Sequence, residues 1–256
     1  LLAVLWNYLC LAEAYRATRD EKYVRAFVDL TRDWIGQHPL EEHTKTHPVY
    51  KDWRGYAWLD IQTGNRATSL VGSFPVLVHG AAFTPEFLGE FLALLYDHQV
   101  KTEKLPMNRV HNKAIFEQRG FVGVAYAFPE FRDAARWLAL ALGRSRENLL
   151  AQTTSDGVQR EWSGGYHFGV LRDAVEIAKR AEERGVAVPE DYRERVRKMC
   201  EYILGMTAPD LTFPMFNDAG REIDLPADRT RWPLYRTLIE AGEPLGDPRF
   251  AAVADL

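Results

Sequence analysis

Two short stretches hold most of the polar residues that could do chemistry in this chain. One is Asn108-Arg-Val-His111-Asn112-Lys113-Ala-Ile-Phe-Glu117-Gln-Arg119-Gly120; the other is Ser155-Asp156-Gly157-Val-Gln-Arg-Glu161-Trp162-Ser163-Gly164-Gly165-Tyr166-His167. Two further polar stretches stand out less sharply, Asp60-Ile-Gln-Thr-Gly64-Asn-Arg66 and Phe213-Pro214-Met215-Phe216-Asn217-Asp218. An amide, a phenol and nearby cations suit proton removal beside a carboxylate, where developing negative charge must be stabilised. Asn112 can donate an amide hydrogen bond to such a carboxylate, and Arg66 or His111 can add positive potential. Tyr166 can take a proton or deliver one. A phenol titrates near about 10, so acting as a base requires a neighbour such as His167 or an arginine to lower that value. Gly164 and Gly165 would let a substrate approach the backbone beside it.

Each of these residues also has a plain structural reading. Asn112 can cap a helix that starts at Lys113. Glu117 reads as a partner that orients Asn112 or Arg119 rather than as a catalyst. Tyr166 can be a buried tyrosine with its hydroxyl satisfied. His167 points elsewhere than Tyr166 if both lie on one helix. Arg66 can be a salt-bridge residue and Asn217-Asp218 a turn. Trp162 is either a platform for a sugar face or packing. His38, His43 and His47 lack regular metal-ligand spacing.

The elements that must position these residues are helical. Residues 1–17 and 21–36 read as two amphipathic helices, the second with Tyr23, Phe27, Leu30 and Trp34 on one stripe. Residues 37–56 have no periodicity and read as a long irregular loop. Helical patterns return at 57–80, from Pro85 to about Val100, and over 110–127, where Gly120, Gly123 and Ala125 form a small-residue face suited to close packing. Pro129 is placed to start the next helix, to about Ala151. A glycine-containing loop over 153–165 leads into a helix from Tyr166 to Arg184, followed by helices over 189–204 and 229–241. No alternating run is long enough to build a sheet. Repeated helical hairpins with polar loops at one end predict an all-α fold, either a toroid or a solenoid.

Composition narrows the partners. A net charge of -4 argues against a basic nucleic-acid surface, and no apolar run approaches the roughly 20 residues of a membrane span. The aromatic share, 12%, reads first as core filling. Cys10 and Cys200 lie on apolar helical faces and read as two buried free thiols, with a single long-range disulfide as the alternative. The chain has no starting Met and opens inside an amphipathic helix, as expected of an internal piece of a longer protein.

The two leading stretches resemble the signature segments of the heparinase II/III-like polysaccharide lyases. The first is similar to that family's Asn-containing helix start, with Glu117 five residues on, Gly120 eight on and Phe128-Pro129-Glu130 closing the helix. The second resembles its Asp-Gly…Glu-x-Ser…Tyr-His loop. The opening aromatic helices (Trp6, Tyr23, Phe27, Trp34), Gly64-Asn-Arg66 and Pro214…Asn217-Asp218 fit in the same order, so the likeness spans about residues 5–220. It implies an incomplete (α/α) toroid of helical hairpins over residues 1–256, and cleavage of uronic-acid glycans by β-elimination. Asn112 and Tyr166 match the family's catalytic Asn and Tyr, with Arg66, His111, Glu117, Trp162 and His167 as candidate substrate-binding residues. A β-sandwich domain beyond this chain would supply a catalytic His and any structural metal; no cofactor is expected in the chain itself. The implied partner is an acidic polysaccharide, with no nucleic acid or membrane, and the implied setting is secreted or periplasmic. One departure is Asn112-Lys113, where many relatives have Asn-His, which leaves the second acid/base to His111 or to a His outside the chain. The competing readings are a hydrolase using two of Glu117, Glu161 and Asp156, and a non-catalytic glycan-binding domain.

Overall fold

The computed structural model describes residues 8–40, 56–58, 60–104, 110–209, 212–214, 216–219 and 233–252. Most of the expected 37–56 loop, Asn108, Arg109 and Met215 lie outside the described residues. Ten α-helices occur among those described: α1 (Tyr8–Thr18), α2 (Lys22–Gln37), α3 (Asp60–Leu77), α4 (Pro85–Lys104), α5 (Asn112–Ala127), α6 (Ala134–Gln152), α7 (Gly164–Glu183), α8 (Glu190–Met206), α9 (Pro233–Leu245) and α10 (Pro248–Ala251). The only β-pairing among them is an isolated bridge between Thr153 and Gln159.

The chain divides into two compact units, residues 1–107 with 116–137, and residues 108–115 with 138–256. The first is organised around aromatic rings. Helix α2 buries Val24, Phe27, Val28, Thr31 and Trp34, so its core stripe is turned slightly from the expected one and leaves Tyr23 and Leu30 only partly buried. Phe27 sits edge-on to Tyr8 at 4.8 Å, while Phe74 stacks on Phe91 at 5.4 Å and meets Phe128 at 5.0 Å. Core filling therefore accounts for much of the aromatic content. The small-residue face of α5 has a specific use in this unit: a Cβ on Gly120 would lie 2.4 Å from the Gly64 carbonyl oxygen, and one on Gly64 would lie 2.3 Å from that of Phe116. The backbones of α3 and α5 touch at this point, and no side chain fits between them.

The second unit packs α7, α8 and α9 together. Helix α7 buries Val170, Leu171, Ala174, Ile177, Ala178 and Ala181 along one face, and α8 buries Tyr192, Val196, Met199, Cys200 and Ile203. The Tyr192 hydroxyl donates to the Ala174 carbonyl at 2.8 Å and pairs with Ser145 Oγ at 2.9 Å, satisfying a phenol that burial would otherwise penalise.

Three expectations need correction. Pro129 does not open a helix; residues 129–133 form turns, with Phe131 N–H donating to Phe128 and Ala134 N–H to Phe131, and α6 begins at Ala134. Helix α7 starts two residues early, so Gly164 and Gly165 belong to its first turn rather than to a loop. Cys10 is exposed, whereas Cys200 is buried and its thiol is pushed up to about 12 by burial; both are free.

The glycine contact gives a direct test. Alanine favours a helix over glycine by about 1 kcal/mol, but overpacking a contact that cannot yield costs about 1–3 kcal/mol. Gly120→Ala is expected to lower the denaturant midpoint despite the better helix former, and an unchanged or raised midpoint would show that the two backbones can separate.

Candidate active site

The first turn of any α-helix leaves N–H groups with no partner inside the helix. At the start of α5, the Asn112 N–H donates to Glu161 Oε1 at 3.2 Å. Glu161 is held in turn by Gln159, whose Nε2 donates to the same oxygen at 3.1 Å and whose Oε1 accepts the Glu161 N–H at 2.9 Å. A carboxylate at this end of a helix also interacts favourably with the helix dipole. Gln159 is anchored by its bridge to Thr153, and Arg160 N–H donates to the Gln152 carbonyl at 2.8 Å. Gly157 lets this loop lie on α8: its φ is +90°, and a Cβ there would come within 2.4 Å of the Lys198 backbone. Before Asn112, exposed His111 is pinned through its carbonyl, which accepts from Asn148 Nδ2 at 3.0 Å and from Ala114 N–H at 3.1 Å. Asn112 itself is 6% exposed, and its carboxamide makes no hydrogen bond to a described residue.

Two residues past Glu161, the same loop caps α7. Ser163, in extended conformation at φ −119°, accepts the Tyr166 N–H through Oγ at 3.4 Å. That hydroxyl donates to the Asp218 carbonyl at 2.9 Å, the Asn217 side-chain amide donates to the Trp162 carbonyl, and the Tyr166 phenol donates to Asp218 Oδ2. Trp162 and Asn217 both have left-handed backbones, φ +53° and +58°, a conformation that costs a non-glycine residue about 1–3 kcal/mol and clusters at functional sites. Trp162 is 54% exposed. Asn112 and Tyr166 thus belong to one hydrogen-bonded cluster, linked by Glu161, Trp162 and Ser163.

The electrostatics run against one expectation. The Tyr166 pKa is raised rather than lowered, first by its hydrogen bond to Asp218, then by burial and by the charges of Asp218 and Glu161. The phenol therefore holds its proton more firmly than a free tyrosine.

Three other candidates lie elsewhere. Arg66 is not positioned to meet a substrate; it is buried among rings, its guanidinium 4.0 Å from the Trp34 centroid and 4.9 Å from that of Trp58. Its Nε donates to His98 Nε2 at 2.7 Å and an Nη to the Ala57 carbonyl at 2.7 Å, and burial lowers its pKa to about 9. Glu117 does not reach the surface to meet a ligand; it is fully buried in an ion pair with Lys101, also fully buried. His167 packs at the α7–α8 contact, beside the Tyr202 ring at 4.9 Å, with Nε2 3.2 Å from the Met199 carbonyl. Burial lowers its pKa to about 4. The sequence reading singled out the stretch ending in Asp218, with a turn as its plain alternative, but assigned Asp218 no role, and it did not foresee Glu161 as the partner of Asn112. Their signal was present only as position, since both fall inside the singled-out polar stretches.

Comparisons with known proteins give the family of the chain. Residues 3–230 match the family described as Heparinase II/III N-terminus, and the chain belongs to that family. It is 30% identical over 219 residues to the heparin-sulfate lyase of Pedobacter heparinus, covering 84% of this chain and 32% of the relative. With the heparin-sulfate lyase of Bacteroides thetaiotaomicron it shares 29% identity over 217 residues, 81% of this chain and 30% of the relative. The chain thus spans about a third of these relatives' length. Among solved structures, a crystal structure of heparinase III matches with a TM-score of 0.77 at 25% identity, covering 91% of this chain and 35% of the other. The heparan sulfate lyase HepC from Pedobacter heparinus matches with a TM-score of 0.71 at 24% identity, covering 96% and 37%. The fold class is that of the helical toroid domains of these structures, as the sequence reading expected.

A buried ion pair and a buried histidine yield tests. Removing one partner of a buried ion pair takes away compensation for the other's charge, so Lys101→Met or Glu117→Leu alone is expected to cost up to about 3–5 kcal/mol. The double variant should recover most of that loss; additive losses would contradict the pairing. For His167, the folded pKa near 4 lies below the ordinary value of 6.5, so between those values the unfolded chain binds more protons. Stability is then complete above about pH 6.5 and falls as pH drops toward 4, by up to about 3 kcal/mol from this group. Urea melts of His167→Gln should show a shallower loss over that window, and an unchanged slope would contradict it.

Proposed function

We propose that this chain is the helical, catalytic part of a polysaccharide lyase that cleaves uronic-acid glycans by β-elimination. Membership of the family supports the class, and the names of the relatives make heparan-sulfate-type glycosaminoglycans the first substrates to try. The observation that carries the reading is the single cluster holding Asn112 and the Tyr166 phenol, joined through the Glu161–Ser163 loop.

In this reading the uronate carboxylate is bound by the Asn112 amide at the positive end of α5, where an anion is favoured. As the proton alpha to that carboxylate leaves, charge builds on the carboxylate oxygens, and a preorganised donor stabilises it more than the ground state. The C5–H electron pair becomes the C4=C5 double bond, the C4–O bond breaks, and the departing oxygen takes a proton. Tyr166, held neutral, suits delivery of that proton. The base that removes the first proton is His111 or, as the family resemblance implies, a His of a following β-sandwich domain. Trp162, exposed beside the cluster, offers a ring face to a sugar. A two-carboxylate hydrolase loses one of its candidates, because Glu117 is buried against Lys101.

The test uses the protein at its full natural length against a panel of uronate polymers, following ultraviolet-absorbing unsaturated product. Tyr166→Phe is expected to lower kcat by about 10²–10⁴-fold and Asn112→Ala by about 10²–10³-fold. Wild-type turnover in both variants would sink the assignment.

A further inference from the structure

We propose that Asp218 is a positioning residue for the reaction, fixing the Tyr166 phenol in orientation so that its oxygen is presented to the scissile bond. The inference builds on the reading of Tyr166 as proton carrier and adds a residue to it. Three hydrogen bonds tie residues 217–218 to the start of α7 and the residue before its cap: Ser163 Oγ to the Asp218 carbonyl, Asn217 to the Trp162 carbonyl, and the Tyr166 phenol to Asp218 Oδ2. The first two hold the backbone that bears the carboxylate, at the expense of two left-handed residues, Trp162 and Asn217. The third uses that fixed carboxylate as a charge-assisted acceptor, which is roughly twice as strong as a neutral one and directional. A phenol on a free side chain can rotate; this one cannot without giving up that bond.

Asp218 acts as an acceptor and not as a proton relay. The phenol donates to its Oδ2. In the proposed step the Tyr166 proton goes to the departing oxygen as the C4–O bond breaks, and the phenolate regains a proton from water. Asp218 neither gains nor loses one. The charged groups whose fields reach the phenol are Asp218, on the 216–219 segment, and Glu161, on the loop before α7. Both carboxylates favour the neutral phenol, so the acid stays loaded at neutral pH.

The experiment compares Asp218→Ala, Asp218→Asn and Tyr166→Phe in the protein at its full natural length, on the uronate polymer it cleaves fastest. Asp218→Ala is expected to lower kcat by about ten- to a hundredfold with KM within about twofold. Asp218→Asn keeps an acceptor oxygen and should recover part of kcat. Losing the charge lowers the phenol pKa, so the alkaline fall of kcat should begin at lower pH in Asp218→Asn than in the wild type. If both Asp218 variants keep wild-type kcat and alkaline limb while Tyr166→Phe is inactive, the positioning role is wrong and the reading of Tyr166 stands. If Asp218→Asn is no better than Asp218→Ala and its alkaline limb is unmoved, Asp218 serves only the loop, which also overturns the proposal. Wild-type turnover in Tyr166→Phe would instead remove the reading on which it depends.

Discussion

Helix ends must find partners for the donors that the helix itself leaves idle, and in this chain one short loop meets that demand twice. Glu161 takes the Asn112 N–H at the start of α5, and Ser163 takes the Tyr166 N–H at the start of α7. Such caps contribute about 0.5–2 kcal/mol each, modest against a whole fold. Their geometric consequence is larger, because three consecutive residues join two helix starts. Trp162, between the two caps, adopts a left-handed backbone with its side chain exposed. The residues proposed for chemistry are therefore placed by the same bonds that begin the helices.

The cluster carries more negative charge than an acidic substrate would favour. Glu161 and Asp218 both lie within it, and Arg66, expected to contribute a cation, is buried among Trp34, Trp58 and His98. Several features offset this. Glu161 is engaged by a backbone N–H and an amide, and Asp218 by a phenol, so each carboxylate is partly neutralised by donors. The start of α5 carries partial positive charge, and His111 and Lys113 flank Asn112 in sequence. The carboxylates are then better understood as holding side chains in place than as opposing an anionic ligand.

Much of the fold was legible because periodicity is a local signal. Helices α2, α4 and α8 follow from their apolar spacing, and Gly120 announced a close helix contact before its partner Gly64 was known. The cluster was legible in part. Asn112 and Tyr166 stood out because an amide and a phenol opened helical segments within polar, glycine-bearing stretches. What stayed hidden was set by distance along the chain. Asp218 stood in a singled-out polar stretch, but its role did not show there, because its partner Tyr166 is 52 positions away. Arg66 read as a salt-bridge residue or a cation for a substrate, and Glu117 as a partner orienting Asn112 or Arg119. Their burial depends on His98, 32 positions from Arg66, and on Lys101, 16 positions from Glu117. His167 sits next to the key tyrosine in sequence yet faces the α7–α8 packing, as the helical repeat requires of neighbours.

The most direct measurement of the central claim is the mass of the products. Elimination breaks the glycosidic bond without adding water, whereas hydrolysis adds one. A defined uronate oligosaccharide cleaved by the protein at its full natural length should give two fragments whose masses sum to that of the substrate, one carrying the new double bond. Fragments whose masses sum to the substrate plus one water would contradict the account.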